Sequence, residues 1–362
     1  MLRDNRFADR LEIELPVIQA PMAGSDSAAL AAAVSAAGGL GSIGCAVHGA
    51  AEIEAIVGDI RRATNRPFNL NFFCHAPPAP DPARETAWVQ RLSGYYAELG
   101  IDPPARLTAG RAPFDEELCA LVEELRPPVV SFHFGLPPDP LFERVKAAGC
   151  RVLCSATAPE EAVWLAGRGV DAIIAQGSEA GGHRGTFGED WRSGSGLMGT
   201  LSLVPQIVDA VEVPVIAAGG IADGRGIAAC AMLGASAVQI GTAYLFTPES
   251  AISDVYRRAL AEARSAQTRV TNVMTGRPAR GLVNRLMREA GPMNDAAPDF
   301  PIAATASGPL RPAAEARGSA DFSSLWAGQS VGLGRALPAA ELTRLLMREA
   351  QERLAAPGAS PG

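Results

Sequence analysis

"DAIIAQGSEAGGHRG", residues 171–185, runs a short apolar segment into a loop that has given up most of its side chains. The segment is rich in β-branched residues and is bounded by glycine, which reads as a strand and not a helix. It lacks polar alternation, so it reads as a strand covered on both faces, the signature of a parallel sheet. Seven more runs share the form: "PVIQAPM" (16–22), "GLGSIG" (39–44), "PFNLNFF" (67–73), "VVSFHFG" (129–135), "RVLCSAT" (151–157), "PVIAAGG" (214–220) and "SAVQIGT" (236–242). Between them lie helical patterns such as "SAALAAAVSAAG", "AEIEAIVGDIRRAT", "PEEAVWLAGRG" and "GRGIAACAMLG", several of which stop at glycine. Eight strand–helix units fit an α/β fold of the closed (β/α)8 TIM-barrel type. An open, doubly wound sheet is the alternative.

Two stretches exceed a bare barrel. Residues 74–128, an insertion after the third strand, begin with the proline-rich "APPAPDPA" and contain a helical pattern near Trp88–Leu99; they read as an excursion over the barrel mouth. From 265 onward, "GLVNRLMREAG" and "PAAELTRLLMREAQERL" read as amphipathic helices and "APDFPIAATASGPLRPAA" as a loop. The expected organisation is a barrel over 14–264, a C-terminal helical segment over 265–355 packing on it, and a disordered tail at 356–362.

Composition narrows the function. With 48% hydrophobic residues in 362, the chain can bury a large core. A net charge of −7 without a basic block argues against a nucleic-acid partner. No apolar run is long enough to span a bilayer, and "MLRDNRFADRLEIELP" has no signal-like apolar region, so a cytoplasmic protein is expected. Six cysteines form no C-x-x-C pair and four histidines form no ligand-spaced pair, so no metal is expected. The only lysine, Lys146, sits within a helical pattern, which disfavours Schiff-base chemistry. A literal G-x-G-x-x-G at Gly39, Gly41 and Gly44 follows a helix and is itself the strand, the reverse of a dinucleotide fingerprint.

The polar and glycine positions collect at the C-terminal ends of the runs: Met22, Ser42, Asn71, His133, Ser155, Gln176, Gly219 and Gly220, and Gln239 through Thr242. In a parallel barrel those ends share one face, where active sites are built. Gly219, Gly220, Gly241 and Thr242 follow the last two strands, the usual phosphate position, and a helix beginning just after Gly220 would add its N-terminus. The amides of Asn71, Gln176 and Gln239 both donate and accept, which suits the edge of a heteroaromatic ring such as a flavin. Glycines beside His183 would let the backbone pass close to such a ring and present the imidazole as a base; the plainer reading is a solvated loop histidine. His133 either lines the substrate pocket or is a hydrogen-bonded core group. Glu179 and Arg184 read as a pair that stiffens the loop.

Together "VIQAPMAG", "AAAVSAAGGLGSIG", "PFNLNFF", "SFHFGLP", "QGSEAGGHRG", "VIAAGGIADGRG" and "GASAVQIGTA", with "GRPARGLVNR" and "WAGQS" later, resemble the nitronate monooxygenases, formerly called 2-nitropropane dioxygenases. The resemblance implies an FMN-containing barrel that oxidises alkyl nitronates, or nitroalkanes, with O2 to carbonyl compounds and nitrite. It implies that Met22, Asn71, Gln176, Gly181, Gly182, Gly219, Gly220, Gln239, Gly241 and Thr242 hold FMN, that His183 is catalytic, and that His133 lies near the substrate. There are departures: Ala304 and Gly308 stand where the family often carries tyrosine and lysine, and "TAGRAPF" lacks an expected tyrosine. FMN-dependent enoyl-acyl-carrier-protein reductases and NADH-quinone reductases share the glycine–histidine and phosphate loops, and a non-enzymatic flavin-binding protein is a third reading.

Overall fold

All eight apolar runs form strands, and their pairing decides between the closed and open architectures. The structure is a computed structural model, and it describes residues 6–108, 110, 112–188, 197–264 and 267–355. The strands are β1 (Val17–Gln19), β2 (Gly41–Gly44), β3 (Phe68–Phe73), β4 (Val129–His133), β5 (Arg151–Ala156), β6 (Ala172–Gln176), β8 (Val215–Ala218) and β9 (Ala237–Ile240). They pair in parallel in the order β1-β9-β8-β6-β5-β4-β3-β2. A parallel bridge between Ile18 and Leu40 joins the two ends, so the sheet closes into a TIM barrel and the open alternative is excluded.

The two-residue period of each strand divides the core. Ile18, Val129, Leu153, Ile174 and Ile216 meet in one buried cluster, into which the helix Arg6–Leu11 inserts Phe7 and Leu11. Their neighbours Val17, Ile43, Leu70, Val130, Val152 and Val238 pack in another cluster with helix residues such as Leu30, Ile53 and Leu203. The G-x-G-x-x-G glycines serve this packing: a Cβ on Gly41 would lie 1.9 Å from the carbonyl oxygen of Ala31 in the preceding helix. The helix Ala339–Ala355 packs on the helices Gly224–Met232 and Ala28–Ala36, so a late part of the chain completes the outer ring.

The insertion and the C-terminal region make a core of their own. Trp88 and Tyr96, from the helices Pro82–Arg91 and Ser93–Leu99, and Leu92 between them pack with Met274, Leu286, Leu310 and Phe322. The C-terminal region also contains strands that its polar runs did not announce. Strand β10 (Thr268–Thr271) and β11 (Ala279–Leu282) form an antiparallel pair, and β11 also pairs with β7 (Gly182–His183). The glycine–histidine loop is therefore part of a three-stranded sheet. The expected disordered tail lies outside the described residues.

Candidate active site

A polar layer crosses the barrel beneath its C-terminal face. Asn69 Nδ2 donates to Ser42 Oγ and Ser131 Oγ at 3.1 and 2.9 Å, and Asn71 Nδ2 donates to Ser131 Oγ at 2.9 Å. Above it opens a cavity of about 1270 Å³, mouth included. Met22, Asn71, His133, Gln176, Gly181, Gly182, His183, Gly219, Gly220, Gln239, Gly241 and Thr242 all line it, so the structure brings every residue expected to hold FMN, act as the base or lie near the substrate to one place.

The histidine loop is pinned from several sides. Gln176 holds its centre: Nε2 donates to the carbonyl of His183 at 2.9 Å and Oε1 accepts from the N–H of Gly185 at 2.8 Å. Buried Glu161 holds its exit, accepting from the Thr186 hydroxyl at 2.9 Å and from the Phe187 N–H at 3.0 Å. Glu179 and Arg184 stiffen the loop through separate bonds: Glu179 accepts from Thr200 N and Oγ1, whereas Arg184 donates to the carbonyls of Gln176 and Gly177. A buried carboxylate or guanidinium needs such partners to offset desolvation.

His183 lies at the base of this loop with 8% of its surface exposed, which rules out the solvated reading. Its Nε2 is 2.9 Å from Thr275 Oγ1. The rings of Phe300 and Trp326 have centroids 5.2 and 5.5 Å from it, with Phe73 and Phe134 next in reach. His133 stands beside it, with Nε2 3.2 Å from the carbonyl of His183 and Nδ1 2.9 Å from Ser155 Oγ. A carbonyl only accepts, so Nε2 carries the proton and the serine hydroxyl donates to Nδ1. Burial pushes the His133 pKa down to about 4, with the bond to the His183 carbonyl opposing and the charges of Arg277 and Arg184 adding to the depression. His133 is neutral at physiological pH.

Thr275, Arg277, Phe300 and Trp326 were missed from the sequence. Arg277 stacks on Phe134 at 4.1 Å and remains cationic, although burial lowers its pKa to about 10. "GRPARGLVNR" and "WAGQS" held the available signal, because the first contains Arg277 and β11 and the second begins at Trp326.

One expectation about the phosphate loops changes. The helix Gly224–Met232 already has an occupied N-terminus: Asp223 caps the N–H groups of Arg225 and Gly226, and Glu349 accepts from Gly224 N. An anion at this wall would meet Gly219, Gly220, Gly241 and Thr242 and not the free N-terminus of that helix. Gly219 and Gly220 have φ of +111° and +73°, a backbone that residues with a Cβ rarely adopt.

The site also fits a planar polar ring. Gln239 Oε1 is buried and meets no hydrogen-bond partner among the described residues, and Gln239 lines the cavity. A ligand N–H would satisfy it. Gly182 has φ +74° and no atom within 4 Å of where its Cβ would be, so the space beside the loop is kept open.

The family model for nitronate monooxygenase matches residues 4–349. The chain belongs to the nitronate monooxygenase family. It is 49% identical over 348 residues to a nitronate monooxygenase of Pseudomonas aeruginosa, covering 95% of this chain and 99% of that protein. It is 43% identical to one from Paraburkholderia phytofirmans, covering 95% and 94%. Among solved structures, a nitroalkane oxidase from Streptomyces ansochromogenes superposes with a TM-score of 0.86 at 40% identity, covering 95% of this chain and 98% of that one. FabK from Thermotoga maritima superposes at 0.73 with 30% identity, covering 97% of each. Membership of this family makes the chain a flavin-dependent oxidoreductase. Among the described residues no helix is long and apolar enough to cross a membrane.

Proposed function

We propose that this enzyme holds FMN in the barrel mouth and oxidises small alkyl nitronates, and nitroalkanes, with O2 to carbonyl compounds and nitrite. The observation that carries the reading is the cavity that joins the glycine loops after β8 and β9 to a buried histidine walled by aromatic rings. FMN, when bound, supplies the electron acceptor for the nitronate and the electron donor for O2. The rest falls to side chains. Met22, Asn71, Gln176 and Gln239, with Gly181 and Gly182, would face the ring; Gly219, Gly220, Gly241 and Thr242 would hold the phosphate. Departure from FAD-type binding is supported by there being one such glycine cradle in the mouth and by the packing role of Gly41.

His183 is the base. A neutral nitroalkane must lose an α-proton to become a nitronate, and an imidazole presented by a pinned loop is suited to take it. Thr275 fixes its orientation through Nε2. His133, neutral, braces the carbonyl of His183 and lines the pocket. Phe73, Phe300 and Trp326 exclude water around the reacting carbon. Six free thiols fit a reducing compartment, and we place the enzyme in the cytoplasm. Denaturing the yellow protein and separating the released flavin tests the cofactor: FMN is expected, and FAD would contradict the site.

A further inference from the structure

The phosphate loops are covered by a segment from outside the barrel strands. Residues 326–330, "WAGQS", cross three loops at once. Gly328 N donates to Thr242 Oγ1 at 2.9 Å, and Ser330 Oγ donates to the carbonyl of Gly220 at 2.6 Å. Gln329 N donates to the carbonyl of Glu179 at 2.9 Å, and Trp326 packs on His183. The crossing is tight: a Cβ on Gly181 would sit 2.6 Å from Gly328 N, and a Cβ on Gly328 would sit 2.8 Å from the Glu179 carbonyl oxygen. Trp326, Gly328 and Ser330 line the same cavity as the glycines.

The directions of these bonds matter. Both phosphate loops contain acceptors as well as donors, and an acceptor facing an anion is repelled. Here the strap donates to the acceptors. Ser330 ties down the Gly220 carbonyl, and in a trans peptide the N–H of Ile221 then points the opposite way, away from the strap. Gly328 fills an acceptor site of Thr242, leaving the threonine proton to be donated elsewhere.

We propose that the strap Trp326–Ser330 sets the polarity of the phosphate site, with Ser330 and Gly328 as positioning residues that leave only donors facing the cofactor's phosphate. The inference rests on the FMN reading above. Its signature is selectivity for FMN over riboflavin, because the two share the ring and differ at the phosphate.

The test measures dissociation constants of FMN and riboflavin by quenching of flavin fluorescence, on full-length apoprotein. Wild type should prefer FMN strongly. Ser330→Ala should weaken FMN about five- to tenfold and leave riboflavin within about twofold. Ser330→Thr, which keeps the hydroxyl, should retain most of the preference. Thr242→Val should weaken FMN in the same selective way, and serves if Ser330→Ala does not fold. A wild type without preference for FMN would defeat the FMN reading and the strap with it. A wild-type preference that survives both Ser330→Ala and Thr242→Val, or equal weakening of both flavins, would defeat the strap alone.

Discussion

The cavity has two unlike walls. One is made of Gly219, Gly220, Gly241, Thr242 and Ser330, and works through backbone and hydroxyl groups. The other is made of Phe73, His133, His183 and Trp326, with Phe134 and Phe300 behind, and works through rings. The first needs side chains to be absent, since an anion held by peptide N–H groups must come close to them. The second needs them bulky, since a base buried among rings meets its substrate without competing water. The same loop, Gly177 to Gly185, serves both walls: on the proposed reading its glycines let the cofactor come close and its histidine is the base.

The comparison breaks most visibly at His183. His183→Asn should lower kcat/KM for a neutral nitroalkane by about 10²- to 10⁴-fold, while activity on the preformed nitronate falls much less and flavin content is unchanged. Equal losses on both forms would make His183 a binding residue. A smaller effect separates two neighbouring glycines of the loop that the walls share. Gly181→Val drives atoms into the backbone of Ala327 and Gly328, 2.7 and 2.6 Å from the Cβ position. It should cost about 1–3 kcal/mol of stability and lose flavin as well. Gly182→Ala meets no protein atom within 4 Å and carries only the strain of φ +74°, about 1 kcal/mol. It should stay folded and lose flavin alone. Thermal melting and flavin absorbance on the same samples decide it; full flavin occupancy in Gly182→Ala would mean that the cofactor does not use that space.

Titration sharpens the contrast further. His133 has a folded pKa of about 4 against an ordinary 6.5, so the unfolded chain binds more protons between those values. Its contribution is fully present above pH 6.5 and is lost as pH falls towards 4. The size is on the order of 2 kcal/mol, reduced because the ring lines an open cavity. Asp26 accepts from the N–H groups of Met22 and Gly44, and burial nevertheless raises it to about 6 from 3.8. It acts with the opposite sign: stability present below pH 3.8 is lost as pH rises through 6. Wild type should therefore be flatter with pH than either His133→Gln or Asp26→Asn. Parallel stability profiles for wild type and His133→Gln over pH 4–6.5 would remove His133 from the account. The smallest expected effect is none at all. Among the described residues no group of three His, Cys, Asp or Glu is placed to hold a metal. EDTA should leave turnover unchanged, and a loss restored by a divalent ion would contradict that.

The two walls also differed in how far they could be read. The barrel and the gathering of its strand-end loops at one mouth were legible because their signals are local. β-branched runs, terminal glycines and strand-end amides occur within a few residues of each other, and closure puts all the strand ends on one face. The aromatic wall was half legible. Phe73 and His133 sit on barrel strands, whereas Thr275 precedes β11, which pairs with β7, Trp326 bridges to β11 at Gly281, and Phe300 comes from a segment outside that sheet. Neither "TRVT" nor "ARGL" carries the apolar alternation of a strand, and a two-residue strand at Gly182–His183 has no pattern at all. The core shared by Trp88, Tyr96, Met274 and Leu310 joins positions about 180 or more residues apart, beyond any local signal. Glu179 and Arg184, five residues apart and opposite in charge, stiffen the loop as their charges suggested, but by hydrogen bonds to Thr200 and to the loop carbonyls that no local pattern announces.

The central claim is that this cavity runs nitronate oxidation and not a pyridine-nucleotide reduction, although the FabK-type barrel is similar. The most direct measurement is an anaerobic titration of the flavin-replete protein, followed by absorbance. Addition of an alkyl nitronate should bleach the flavin, and NADH or NADPH should leave it oxidised. Bleaching by NADH or NADPH, with none from the nitronate, would contradict the account.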